Sequence, residues 1–124
     1  MRRLALVIDD DPEIRELIAV LLDEIGFDAD LLADGIAALE VTKPYDVILV
    51  DLNMPVFDGE RLLEYWSLTQ NDLLQRVIVL TGYSRFTRGR DLPPIFATIP
   101  KPFEHRDLLK LVARCANNEK EVNP

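Results

Sequence analysis

Three apolar runs in this chain stop abruptly at oxygen-bearing side chains, and a fourth stops just short of a lysine. Residues 4–8 end at Asp9 and Asp10, residues 45–50 at Asp51 and residues 76–80 at Thr81, while residues 95–99 are followed by Lys101. Taken singly, an Asp in such a place is most often a helix cap or turn former, a Thr a turn residue and a Lys a solvated charge. Gathered in one crevice, they could do chemistry. Carboxylates held close raise one another's proton affinity unless a cation joins them, so Asp9, Asp10 and Asp51 together imply a hard divalent ion with oxygen ligands, Mg²⁺ before others. Asp51 can serve as a nucleophile, because a carboxylate attacking phosphorus gives an acyl phosphate. Asp9 and Asp10 would then hold the metal. Lys101 and the Thr81 hydroxyl would supply charge and hydrogen bonds to the equatorial oxygens of a transferring phosphoryl group.

The elements that must bring these residues together are written in the hydrophobic periodicity. Residues 4–8 are a continuous apolar run and residues 45–50, YDVILV, the most continuous β-branched run of the chain, the mark of strands buried on both faces. Ile14, Leu17, Ile18, Leu21, Leu22 and Ile25 recur at helical spacing over residues 12–25, with Asp11 as the expected cap, Pro12 at the start and Gly26 just past the end. Residues 27–32 read as a second strand, and residues 36–41 as a short second helix that Pro44 stops. Asp58 and Gly59 open a third helix with Leu62, Leu63 and Trp66 on one face. Residues 76–80 and 95–99 supply two further strands, and residues 104–116 a closing amphipathic helix that includes Cys115. Between those last strands, Gly89 and the pair Pro93 and Pro94 predict an irregular fourth helix.

Strands alternating with helices predict an α/β domain of flavodoxin-like (βα)5 type. This is a three-layer sandwich around a parallel five-stranded sheet of order 2-1-3-4-5. In such a sheet the ligand site lies beyond the carboxyl ends of the strands, where the winding reverses between strands one and three. Those are the strands that end in Asp9 and Asp51.

Composition narrows the function classes. A chain of 124 residues fits one domain, assigned to residues 1–117, with residues 118–124 as a polar tail or linker stub. The formal net charge of -8 argues against direct contact with nucleic acid. One cysteine excludes an internal disulfide and suits a reducing cytoplasm. The opening MRRLALVIDDDP is too short in its apolar part for a signal peptide or membrane span, so no membrane insertion is expected. His105, the one histidine, reads as a first-turn helix residue, and Tyr65 and Trp66 read as partly buried helix positions.

The strings VIDDDPEIRELI, LADGIAALE, YDVILVDLNMPVFDGERLLE, VIVLTGYS and IPKPF resemble the response-regulator receiver (CheY-like) family of two-component signalling, over roughly residues 4–115. The resemblance implies that Asp51 accepts a phosphoryl group from a phosphohistidine on a sensor histidine kinase or histidine phosphotransfer protein. It implies Mg²⁺ held by Asp9, Asp10, Asp51 and the backbone carbonyl of Asn53. Thr81 looks like the family's switch hydroxyl and Lys101 like its site cation, with a Lys101–Pro102 bond similar to the one that family keeps cis. Met54 and Pro55 would shape the loop after the acceptor, and Gly59 the tight turn into the next helix. Asn53 and Tyr83 occupy positions similar to those that border the phosphoryl group. A downstream protein effector is the expected output partner, and self-association into a homodimer is compatible with the family. No small-molecule turnover is expected beyond self-catalysed phosphotransfer and autodephosphorylation.

Two features depart from that pattern. Thr98 stands where the family usually has an aromatic residue coupled to the switch hydroxyl; Phe96, on the same face of an extended strand, is a candidate substitute or a core residue. The segment with Arg85, Arg88, Gly89, Arg90 and the proline pair replaces a regular helix on the face through which family members commonly signal, and its basic residues suit an acidic partner as well as they suit a solvated loop. Two other functions compete with the receiver reading. One is a phosphorylation-independent interaction module; the other is an aspartyl-phosphate phosphohydrolase, a class that typically places a second Asp where Asn53 stands.

Overall fold

The computed structural model describes residues 2–54, 58–82 and 93–118. In chain order it contains β1 (Arg3–Ile8), α1 (Pro12–Glu24), β2 (Phe27–Leu32), a 3-10 turn (Ile36–Ala38), β3 (Val47–Asp51), α2 (Gly59–Thr69), a second 3-10 segment (Asn71–Arg76), β4 (Val77–Thr81), β5 (Ala97–Pro100) and α3 (His105–Ala116). The strands form one sheet of order β2-β1-β3-β4-β5. Every neighbouring pair is parallel, which brings all the carboxyl ends to one edge.

The sheet is buried on both faces, and residue parity decides which layer each side chain joins. Leu6, Ile8, Ile48, Val50, Val77 and Val79 pack with Leu62, Leu63 and Trp66 of α2. Ala5, Val7, Val47, Leu49, Ile78 and Leu80 pack on the other side with Ile18 and Leu22 of α1 and Leu108 and Val112 of α3. The three-layer sandwich expected from the alternating pattern is therefore present.

Helix ends follow the local chemistry. Asp11 caps α1, its Oδ1 accepting the Glu13 N–H at 2.9 Å, with Pro12 as the first helical residue. Gly26 follows the helix at φ 89, a left-handed conformation that costs glycine little. Asp58 caps α2 through the Arg61 N–H at 2.9 Å. His105 is the first residue of α3, as the sequence suggested.

The predicted second helix is the main correction. Residues 36–41 form no α-helix; a 3-10 turn covers Ile36–Ala38 alone. Side chains from α2 and its end take over the backbone groups that a longer helix would have paired. Trp66 Nε1 donates to the Ala38 and Leu39 carbonyls at 3.1 and 3.3 Å. The Gln70 amide brackets Val41, accepting its N–H at 3.1 Å and donating to its carbonyl at 2.8 Å. Val41 and Thr42 are β-branched, and Pro44 disfavours helical geometry at Lys43, so little opposes this capture. Trp66 is consequently buried outright, while Tyr65 stays exposed.

Smaller differences concern strand ends. β3 starts at Val47 rather than at residue 45, because Tyr45 turns its hydroxyl to Asp30 Oδ2 at 2.7 Å and Asp46 brackets Leu4. β5 starts at Ala97, and Phe96 lies at a bend packed with the cluster of Ile78, Leu80 and Ile99. Phe96 is thus half-buried against the core, whereas Thr98 is exposed. The fourth helix, with Arg85, Arg88, Gly89 and Arg90, lies outside the described residues. No helix among those described is long and apolar enough to cross a membrane.

Candidate functional site

The β1 and β3 ends lie side by side at the middle of the sheet, with Ile8 opposite Val50. That register places the residues that follow β1 next to Asp51, the last residue of β3. Asp9, Asp10 and Asp51 each present a carboxylate oxygen, and these oxygens lie within 4.8 Å of one another. Asp9 and Asp51 are buried and Asp10 is exposed, so the cluster opens to solvent on one side.

Lys101 joins the cluster from the far side. Its Nζ lies 2.8 Å from Asp9 Oδ2 and 3.4 Å from Asp51 Oδ2. The Lys101 N–H donates to the Thr81 carbonyl at 2.7 Å, which anchors the lysine to the end of β4. Thr81 itself is buried and stands one residue beyond Leu80, the β4 partner of Asp51. The Lys101–Pro102 bond is cis, as the resemblance implied.

Asp9 is held at every polar atom of its side chain. Oδ2 takes Lys101, and Oδ1 accepts the Asp11 N–H at 2.9 Å. Asp51 Oδ1 accepts the Asn53 N–H at 3.0 Å. The electrostatics match this crowding. Burial, joined by the Asp9 charge, pushes the Asp51 carboxyl up to about 6, against the pull of the Asn53 amide and Lys101. Burial works against the charge on Lys101, yet its bonds to Asp9 and the charge of Asp51 hold its pKa above the ordinary lysine value.

The three carboxylates outnumber the Lys101 ammonium that contacts two of them, and a divalent cation would offset the surplus of negative charge. The donors are all hard oxygens, two of them anchored and one facing solvent, the donor set that Mg²⁺ takes when it keeps part of its water shell. The residues present fit that ion.

Gly59 is required here for a reason other than the one expected. A Cβ at this position would sit 2.5 Å from the Asp51 carbonyl oxygen and 2.7 Å from Leu52 Cα. The start of α2 therefore presses directly on the backbone that carries Asp51, with the Gly59 N–H donating to the Leu52 carbonyl at 3.2 Å. Close approach, rather than a left-handed turn, selects glycine. Met54 is buried in the core cluster that holds Leu52 and Leu62, while Pro55 and Tyr83 lie outside the described residues.

One member of the site was not singled out from the sequence. Arg15, in the first turn of α1, donates from Nη1 to the Asp9 carbonyl at 2.7 Å. The sequence shows a lone basic residue one turn into a helix that opens on three consecutive acids, but not that its partner is a backbone carbonyl.

Residues 5–113 match the family model described as response regulator receiver domain. The chain belongs to this family. Among curated relatives, a transcriptional regulatory protein CpxR homolog from Haemophilus influenzae is 31% identical over 84% of this chain and 46% of its own length. The DNA-binding transcriptional regulator NtrC of Klebsiella pneumoniae is 30% identical over 97% of this chain and 26% of its own. The receiver domain thus spans half or less of these relatives. Solved receivers match most of this chain and nearly all of their own length. The response regulator TrrA of Thermotoga maritima, in complex with Mg²⁺-BeF, superposes with a TM-score of 0.81 at 28% identity, covering 91% of this chain and 98% of that one. The chemotaxis protein CheY4 of Vibrio cholerae gives 0.78 at 26% identity, covering 93% and 99%. Receiver domains are signalling modules, and the flavodoxin-like order of this sheet is theirs.

Proposed function

We propose that this receiver domain is switched by phosphorylation of Asp51, with a sensor histidine kinase or histidine phosphotransfer protein as donor. One observation carries the reading. A buried carboxylate ends the central strand within 3.4 Å of an ammonium and within 4.8 Å of two further carboxylates. An Asp51 oxygen attacks phosphorus as the P–N bond of the phosphohistidine breaks, and the leaving imidazole keeps the electron pair. Lys101, already oriented by Asp9, offers its charge to the phosphoryl oxygens, and the Thr81 hydroxyl offers a donor from the end of β4. Asp9, Asp10, Asp51 and the Asn53 carbonyl would hold Mg²⁺, which when bound neutralises charge on the phosphoryl oxygens.

Asn53 favours signalling over hydrolysis as a purpose. It has no carboxyl to activate water, so a phosphohydrolase would lack its usual acid/base at that position. The domain is assigned to residues 1–117, with residues 118–124 as a tail or linker, in a cytoplasmic protein whose output partner is a downstream protein effector. DNA binding is not assigned to this chain, whose net charge is -8. Homodimerisation is compatible with the family, and the exposed Thr98 argues against the usual aromatic coupling between site and surface.

The test is intact-mass spectrometry after incubation with acetyl phosphate and Mg²⁺. A single Mg²⁺-dependent phosphoryl adduct, absent in Asp51→Ala, is expected. No adduct on the wild-type chain would favour the phosphorylation-independent module, and rapid multiple turnover of generic phosphoesters would favour the phosphohydrolase.

A further inference from the structure

Asp9 is fixed from several directions, while its neighbour Asp10 is exposed. The Asp9 N–H donates to the Leu32 carbonyl at 3.1 Å, Oδ1 accepts from Asp11 and Oδ2 from Lys101. The remaining polar atom, the carbonyl oxygen, is taken by Arg15 Nη1 at 2.7 Å. That carbonyl belongs to the same planar peptide as the Asp10 N–H, so a donor that fixes the one sets the plane from which the Asp10 Cα departs. Arg15 is itself placed by the first helical bond of α1, its N–H donating to the Asp11 carbonyl at 3.0 Å. Its planar guanidinium is better suited to hold a carbonyl plane than a freely rotating ammonium would be.

We propose that Arg15 is the positioning residue for the Asp9–Asp10 acidic pair, and through that pair sets the affinity of the site for a divalent cation. The inference rests on the reading of these carboxylates as an Mg²⁺ site. Arg15 touches neither the transferred group nor the acceptor in this account; it aims Asp10. Outer-shell donors that orient metal ligands commonly change affinity by about 10- to 100-fold when removed.

The sign of the effect separates positioning from plain electrostatics. Arg15 is a cation, and cations near a metal site repel the metal, so deleting its charge would by itself tighten Mg²⁺ binding. Loss of the Asp9 carbonyl bond would loosen it. The two views predict opposite outcomes for the same variant.

The experiment is isothermal titration calorimetry of the full chain with Mg²⁺, comparing wild type, Arg15→Met and Arg15→Lys, with thermal melting in the absence of Mg²⁺ as a check on the fold. Met and Arg have similar helix propensity, so α1 should persist; should Arg15→Met not fold, Arg15→Gln takes its place in the same titration. Arg15→Met is expected to bind Mg²⁺ about tenfold more weakly at unchanged melting temperature. Arg15→Lys, which keeps the charge and N–H donors but not the planar fork, is expected to recover only part of the loss. Adduct formation from acetyl phosphate in the Met variant should return to the wild-type rate at saturating Mg²⁺, as an affinity effect requires. Equal or tighter Mg²⁺ binding by Arg15→Met would overturn the proposal. Failure of the wild-type chain to bind Mg²⁺ at all would instead overturn the metal reading on which it rests.

Discussion

At the scale of single residues, the site is a balance of charge held out of water, and its cost is measurable as a pH dependence. Burial and Asp9 raise the Asp51 carboxyl to about 6, well above its unfolded value. Between the two pKa values the folded state holds a proton that the unfolded chain has released, so metal-free stability should fall as pH rises from about 4 to about 6. Chemical denaturation across that range, with chelator present, should show the decline, and Asp51→Asn should flatten it. A second residue-scale prediction concerns Gly59. Its replacement by Ala forces a Cβ against the Asp51 carbonyl, and overpacking of this kind costs about 1–3 kcal/mol, to be read from urea denaturation of the variant. Of these residues, Asp9, Asp10, Asp51, Thr81 and Lys101 were legible because each ends or follows an apolar run. The role of Gly59 in close packing was not, since the sequence shows a glycine without showing what it approaches. Arg15 was hidden for a related reason: its partner is a backbone carbonyl, which carries no side-chain signature.

At the scale of elements, apolar spacing located strands and long helices to within a residue or two, because each buries a continuous stripe that only one period can supply. Residues 36–41 failed that logic. Their pattern is helical, yet the segment is short, and Trp66 and Gln70, which lie far along the chain, compete for its carbonyls and amides. No local pattern reports a long-range hydrogen bond. Trp66→Phe keeps most of the buried ring but strips the N–H from the Ala38 and Leu39 carbonyls. The loss should be about 1–3 kcal/mol in denaturant, with faster amide exchange at Ala38, whose own bond to the Gly35 carbonyl closes the turn. Equal stability and unchanged exchange would mean that the packed ring alone holds this segment.

At the scale of the whole molecule, the site exists only because a parallel sheet brings distant segments to one edge. Asp9, Asp51 and Lys101 are far apart in sequence, and the order β2-β1-β3-β4-β5 makes neighbours of the two strands that end in Asp9 and Asp51. The topology was legible for that reason: alternating elements admit few windings, and the right-handed one gathers these residues at the central switch point. The central claim is that this gathering makes Asp51 a phosphoacceptor. Its most direct test is to locate the modification by treating the phosphorylated chain with borohydride, which reduces an aspartyl phosphate to homoserine, and then sequencing peptides by mass spectrometry. Homoserine is expected at position 51, formed only when both acetyl phosphate and Mg²⁺ were present. Homoserine at another aspartate, or none at position 51 in a chain that has taken up phosphate, would contradict it.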